Sequence, residues 1–398
     1  MTSESRVREE SRVPDAGVLF QVFREGRPLT NQEVQLRTGL GRTAVAARTD
    51  ALVAAGYLAP VGEIPSRGGR RAVLYGLDGR SRVVAGVDVG ATHSRVVLCT
   101  IANVQLAERH RATPAVGTPE ECLGWAVGAV HECLKELELD PGALTGLGIG
   151  LPARVNFSTG QPLKPNLMPG WDGYDVPGYF RERVTSSVLA DNDVNVLALN
   201  ERATFWPDVA DLIYVKVGTG LGGAVIAGGN VQRGASGTAG DIGHMRLHGH
   251  AEAASYTGRT VLLGDVVSGN GMAAALEREG FETSSVNDIL ELVRLAEPRV
   301  LEHMRTAGQA LGEALADVVD MLNPAVVVLG GRLGTEGEHL LAGVRDAVYR
   351  LSLPAATQDL QIARSHAGVS GAAMGACRLI LDHILSPGVV SAAVSGEN

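Results

Sequence analysis

The sequence predicts an α/β protein in two parts, a small helical module closed by a hairpin and then a two-lobed body. Three observations predict it. At 398 residues the chain is longer than a single hydrophobic core usually grows, which favours a module joined to a divided body. Residues 1–80 carry three helix-length apolar patterns followed by two short strand patterns. Beyond them, apolar strand patterns run into glycine loops at three separated places, the arrangement expected of one cleft shared by two lobes. The boundaries fall at 1–80 for the module, 81–190 for the first lobe and 191–398 for the second, whose C-terminal helix is expected to return to the first lobe.

The first helix lies within residues 13–23, where Val18, Leu19, Val22 and Phe23 recur at roughly helical spacing and Gly26, Arg27 and Pro28 end the pattern. Thr30 followed by Glu33 has capping-box spacing: the hydroxyl accepts an orphan backbone N–H and the carboxylate reaches back, so a second helix runs to about Thr38. Gly39, Leu40 and Gly41 turn the chain. A third helix over 42–55 turns Val45, Leu52 and Val53 inward and Arg42, Thr43 and Arg48 outward, as the recognition helix of a helix-turn-helix would. Strands at 57–61 and 72–77 flank Pro65-Ser66-Arg67-Gly68-Gly69-Arg70-Arg71. Glycine lets such a tip turn tightly, and Arg67, Arg70 and Arg71 offer guanidinium groups to phosphates or a narrow minor groove, which is the chemistry of a DNA-binding wing. A packing module with a solvated basic loop is the plainer reading, and the ordered succession of helices, turn and basic hairpin argues against it.

Charge supports the same division. The formal net charge is -9, yet residues 1–80 hold twelve arginines, no lysine and nine acids, a balance of +3 that leaves -12 for the rest. A local positive face is what phosphate contacts need. Apolar residues at 45% and charged residues at 20% are the balance of a soluble globular chain. No apolar run approaches the ~20 residues of a membrane span, and residues 1–15 are too charged for a signal-peptide core, so a cytoplasmic protein without a membrane partner is expected. Cys99, Cys122, Cys133 and Cys377 are scattered without a CxxC pair, which argues against a disulfide framework and a cysteine zinc site.

In the body, residues 83–88 run into Asp88-Val89-Gly90-Ala91-Thr92-His93-Ser94, and residues 95–101 resume the apolar pattern. The backbone N–H groups of this hairpin and the Thr92 and Ser94 hydroxyls suit a phosphate. A second loop, Gly218-Thr219-Gly220-Leu221-Gly222-Gly223, lies between strands at 212–217 and 224–227, and a third, Gly330-Gly331-Arg332-Leu333-Gly334, follows a strand at 326–329. With Leu151-Pro152-Ala153-Arg154-Val155-Asn156 and Gly368-Val369-Ser370-Gly371-Ala372-Ala373, these loops form an ordered series in which the chain resembles, essentially end to end, the ROK family of repressors and sugar kinases.

That resemblance implies an N-terminal winged helix-turn-helix followed by a two-lobed actin-like ATPase (sugar kinase) fold. It implies two phosphate loops and an adenosine loop, with Asp88, Gly90, Thr92, Gly218, Thr219, Gly220, Gly222, Gly223, Gly330 and Gly331 at nucleotide- or phosphate-binding positions. Asn192-Asp193-Val194-Asn195 resembles the family's catalytic and sugar-binding segment. Asp193 would take the proton from a sugar hydroxyl during phosphoryl transfer, and Asn192 would bond hydroxyls through its amide. An isolated Asn-Asp pair is more often a turn or a helix cap; the surrounding matches reverse that preference. Gly240-Asp241-Ile242-Gly243-His244-Met245 resembles the family's Gly-Glu-x-Gly-His element, which adds Asp241 and His244 to the sugar site. Asp241 is one methylene shorter than glutamate and reaches roughly an ångström less.

The departures matter as much as the matches. Where the family continues into a cysteine loop that binds structural zinc, residues 246–259 hold no cysteine, and His248 and His250 would be poorer replacements for thiolates, so no metal site is expected. His93 stands where kinase members commonly carry lysine. The expectation is a regulator, in the repressor sense, that binds double-stranded operator DNA and responds to a sugar or sugar phosphate, as a homodimer or homotetramer. DNA binding would require no cofactor. The alternative is an ATP- and Mg-dependent hexose or N-acetylhexosamine kinase fused to a DNA-binding module, and a body serving only for dimerisation is a third possibility.

Overall fold

The structure, a computed structural model, describes residues 16–24, 26–64, 71–113, 116–165, 168–184, 187–247 and 261–396. Its front module opens with α1 (Ala16–Gln21), a two-residue strand β1 (Leu29–Thr30), α2 (Asn31–Thr38) and α3 (Arg42–Ala54). The predicted capping box is present: Glu33 N–H donates to the Thr30 hydroxyl at 3.3 Å, and Thr30 N–H donates to the Glu33 carboxylate at 2.8 Å. Gly39 ends α2 at φ 72, a left-handed value that favours glycine. Strands β2 (Leu58–Ile64) and β3 (Ala72–Leu77) complete an antiparallel sheet of order β1-β3-β2. β1 was not legible in the sequence, because two residues are too few to show a period. Val18 is 45% exposed, so it does not join the inward face its spacing suggested. Leu19, Phe20 and Phe23 do, and Thr49 is also buried on α3, where its hydroxyl donates to Asn31 Oδ1 at 3.0 Å.

The body contains two five-stranded sheets of one plan. The first has β4 (Val83–Val89), β5 (His93–Thr100), β6 (Gln105–Ala112), β7 (Leu144–Leu151) and β10 (Val188–Asn192) in the order β10-β7-β4-β5-β6. The short strands β8 (Val155–Asn156) and β9 (Gln161–Pro162) pair separately. The second sheet has β11 (Leu212–Val217), β12 (Leu221–Ala227), β13 (Asn230–Gln232), β14 (Val326–Gly330) and β15 (Gln361–Arg364) in the order β13-β12-β11-β14-β15. In each, an antiparallel meander of three strands is extended by two parallel strands beside the first. Near-continuous burial of the largely apolar strands β4, β7 and β14 matches sheets covered on both faces.

Helices supply that cover. On the first lobe these are α4 (Pro119–Glu136) and α5 (Val176–Arg181), while α6 (Asp193–Phe205) leaves the end of β10. The second lobe adds α7 (Leu263–Val267), α8 (Gly269–Arg278), α9 (Val286–Arg294), α10 (Pro298–Leu322), α11 (Gly331–Glu336), α12 (Glu338–Leu351) and α13 (Pro354–Thr357). The chain then runs through α14 (Gly371–Ile384) and α15 (Pro387–Ser395). No single helix among the described residues is long and apolar enough to cross a membrane.

α14 lies against the first sheet so closely that a Cβ on Gly86 would stand 1.9 Å from the Ala373 carbonyl oxygen, and one on Gly148 would stand 1.9 Å from that of Ala376. Its other face meets α6, where a Cβ on Gly375 would stand 1.8 Å from the Val196 carbonyl oxygen. One buried cluster continues from the front module into the body, joining Phe20, Phe23 and Leu52 to Val97, Ala373, Cys377 and Ile380. The winged module therefore shares a core with the first lobe.

Candidate functional site

The parallel strands of the first sheet end in one row. Asp88 on β4 is in register with Gly150 on β7, and Gly150 with Asp191 on β10. Ligands of open α/β sheets bind beyond such carboxyl ends, where the strand order reverses. A Cβ on Gly150 would come within 3.5 Å of the Asp193 Cα, so the absent side chain lets the start of α6 into the row. Asn192 caps that helix. Its Oδ1 accepts the Val194 N–H at 2.9 Å, and its Nδ2 donates to the Ala153 carbonyl at 2.9 Å. Both ends of the amide expected to bond sugar hydroxyls thus also hold protein in place.

Asp193 is buried, and Lys216 on β11 donates to its Oδ2 at 2.5 Å. Burial pulls the Lys216 ammonium down, but the carboxylates of Asp193 and Asp88 outweigh it and hold its pKa above the ordinary lysine value. Lys216 belongs to none of the motifs. The available signal was a lysine inside the otherwise apolar run Leu-Ile-Tyr-Val-Lys-Val. Asp191, also buried, holds three further groups: its Oδ1 accepts the Asn192 N–H and Asn195 Nδ2, and its Oδ2 accepts Arg233, whose guanidinium lies 3.8 Å from the Phe157 ring centre.

The two lobes meet at the expected sugar-site element. Arg154, just after β7, donates through Nε to Asp241 Oδ2 at 2.6 Å, and Asp241 Oδ1 lies 2.8 Å from His244 Nδ1. Arg154 Nη2 is 3.2 Å from His244 Nε2. Asp241 and His244 are brought together, with a guanidinium from the opposite lobe on both.

The glycine loops differ from their expected form. Gly90 spends its N–H on the His93 carbonyl at 2.8 Å, and a Cβ there would lie 2.2 Å from the His93 ring, which lies against it. His93 Nε2 in turn lies 2.9 Å from Asp88 Oδ2. Thr92 is exposed, while Ser94 is buried within β5. Gly222 and Gly223, read as loop, belong to β12, because the antiparallel pairing with β11 already begins at Leu221. There a Cβ would meet Val194 or the Gly240 carbonyl, so these glycines admit the close approach of α6 and of the segment that carries Asp241. The loop proper is Gly218, Thr219 and Gly220, where the carbonyls of Gly218 and Thr219 accept from Gly269 and Asn270 at the start of α8. Gly330 ends β14 against the Tyr214 hydroxyl, and Gly331, at φ 71, opens α11. A histidine ring set against Gly90 and a salt-bridged Asp193 do not fit a metal nucleotide. Among the described residues no group of three or more His, Cys, Asp or Glu side chains is placed to hold a metal ion.

A buried network links the cleft to α14. Glu201 on α6 is fully buried and accepts Ser365 Oγ at 2.6 Å and the His366 N–H at 3.2 Å, just ahead of α14. Tyr214 donates to Ser365 Oγ at 3.3 Å, and burial pushes its phenol well above the ordinary tyrosine value. From the end of α14 onward the contacts reach α1 and the residues just after it: Arg24 pairs at 2.6 Å with Asp382 in the last turn of α14, Gln21 Nε2 donates to the Leu385 carbonyl at 2.9 Å, and Gly17 N–H donates to Ser391 Oγ on α15 at 3.0 Å.

On the outer face of the module, Arg42 and Thr43 are exposed on the first turn of α3. Arg48 is half-buried and bonds the Ala44 carbonyl at 3.1 Å. Arg71 is exposed, 3.8 Å from Glu63. Arg67, Arg70, His248 and His250 lie outside the described residues.

The sequence profile of the ROK family matches residues 84–383. A putative xylose repressor from Caldicellulosiruptor sp. (strain Rt8B.4) is 26% identical over 384 residues, covering 93% of this chain and 96% of its own. Among solved structures, a ROK family transcriptional regulator described as a homolog of E. coli MLC protein superposes with a TM-score of 0.78 at 20% identity, over 96% of this chain and 98% of its own. A ROK family glucokinase from Streptomyces griseus, in complex with glucose and AMPPNP, covers 75% of this chain and 98% of its own, with a TM-score of 0.62 and 24% identity.

Proposed function

This chain belongs to the ROK family, and we propose that it is a sugar-responsive transcriptional repressor, binding operator DNA through its winged helix-turn-helix and a sugar or sugar-derived ligand between the lobes of its body. The observation that carries the reading is the continuous packing from cleft to module: α6 begins at the sugar-site pair, grips α14, and α14 with α15 holds α1. A ligand that favours one spacing of the lobes then biases the seat of the winged module. Such coupling needs unequal affinity for the two arrangements, since equal affinity would shift nothing. Similarity to a repressor along nearly the whole chain, front module included, supports the same reading.

In this reading Arg42 and Thr43 face the major groove, with Arg48 and the wing arginines Arg67, Arg70 and Arg71 reaching the backbone or minor groove. Asp241, His244 and the Asn192-Asp193 pair meet the sugar. A homodimer or homotetramer would place paired winged helices on a pseudo-palindromic operator in the cytoplasm. DNA binding calls for no cofactor. The kinase reading is weaker because Lys216 occupies the carboxylate that would accept the hydroxyl proton.

The test is selection of bound duplexes from a random pool, followed by gel shifts against pentoses, hexoses, N-acetylhexosamines and their phosphates. One of these is expected to change operator affinity by about tenfold or more, corresponding to roughly 1.4 kcal/mol of coupling. If none does, the sensing half of the proposal is wrong.

A further inference from the structure

The two sheets share one strand plan, which makes β4 and β11 equivalent central strands, and each carries a charged residue one place from its end: Asp88 on β4 and Lys216 on β11. We propose that Lys216 is a built-in countercation that stands in for the divalent metal a phosphoryl-transfer cleft would gather there, so that this cleft takes its ligand without a metal nucleotide. The step beyond the sensor reading is that the metal and nucleotide half of the site has been replaced by protein.

Geometry carries it. Asp88 and Asp193 are only 3% and 4% exposed, and Gly150 is the glycine between them, in register with one and in contact with the other. Two buried carboxylates a strand apart repel each other unless a cation sits with them. Magnesium commonly binds through one or two carboxylates and keeps its waters, so such a pair is enough to hold it. Here the Lys216 ammonium bonds Asp193 at 2.5 Å and feels the field of Asp88. His93 supplies the second replacement, with its ring over Gly90 and its Nε2 2.9 Å from Asp88. An arriving phosphate would find the Gly90 amide spent and the space beside Gly90 taken by the His93 ring. An ordinary buried ion pair makes a different prediction, because removing its lysine creates only a loss of stability and no appetite for a metal.

The experiment measures the melting temperature of the full chain against MgCl2, alone and with ATP, for the wild type, Lys216→Gln and the double variant Lys216→Gln/Asp193→Asn. The wild type should not respond to magnesium or to Mg·ATP. Lys216→Gln should melt lower without metal and recover as magnesium rises into the millimolar range, following mass action on the folded state. The double variant, with one acid fewer to neutralise, should melt higher than Lys216→Gln in metal-free buffer and lose most of its magnesium response. It also guards against a single variant that folds poorly. Wild-type stabilisation by Mg·ATP, or a Lys216→Gln protein indifferent to magnesium, overturns the proposal. A parallel arm repeats the melts with the sugar panel in EDTA. A sugar response there supports a metal-free ligand site, whereas a response that appears only with magnesium overturns the proposal. If no sugar responds under either condition while the magnesium pattern holds, it is the sensor reading that fails.

Discussion

Arg154 reaches across from the first lobe to Asp241 and His244, the two groups of the second lobe that the proposed function assigns to a sugar. A hydroxyl-bearing ligand must share or displace that guanidinium. Because the Arg154 side chain is 37% exposed and that of Asp241 26%, solvent screens the pair, and its loss should cost less than about 1 kcal/mol. We therefore expect Arg154→Gln to lower thermal stability slightly while tightening sugar binding by up to about tenfold, read by calorimetric titration with whichever sugar alters operator binding. Abolished sugar binding would instead make Arg154 a direct ligand contact. Asp191 contrasts with this pair: buried and bonded on both oxygens, it ties Asn192, Asn195 and Arg233 together.

Among the elements, α14 and α15 bear the most consequence, because the first links both lobes and the second seats α1. A Cβ on Gly17 would stand 1.8 Å from the Pro387 carbonyl oxygen, so the two helices meet at backbone contact. Gly17→Val should push α1 off α15 at an overpacking cost of about 1–3 kcal/mol. Operator affinity, or its response to sugar, should change while the sugar-induced rise in melting temperature persists. Loss of both together would show general unfolding rather than uncoupling. α2 shows the opposite case, an element whose start is fixed locally: the backbone N–H of Thr30 and its hydroxyl hold the Glu33 carboxyl below the ordinary glutamate range.

For the whole molecule the uneven charge bears on the proposed DNA binding. A positive front segment on a strongly negative body would concentrate phosphate contacts at one end while the body repels a duplex, so operator affinity should fall steeply with salt. If six or more phosphates are contacted, operator affinity should drop by about 10³-fold or more between roughly 50 and 200 mM salt. Arg42→Ala should weaken binding, and if that guanidinium meets a phosphate it should reduce the salt slope by about 1. Gel shifts across a salt series check both, and a flat salt response would remove the electrostatic argument for the front module.

The features legible from residues alone are those whose chemistry is local: the Thr30-Glu33 cap, the turn at Gly39, the strands that run into glycine, and the motif frame around Asp193. These depend on residues a few positions apart, so spacing suffices to read them. Only the tertiary structure decided what those groups face. Lys216 lies 23 positions from Asp193, Arg154 lies 87 from Asp241, and Ser365 lies 164 from Glu201. Such partners are set by how two sheets and their crossing helices bring strand ends together, and no local pattern encodes that. The assignment of Gly222 and Gly223 to loop failed for the same reason, since strand pairing and the approach of Val194 and Gly240, rather than a turn, account for glycine there.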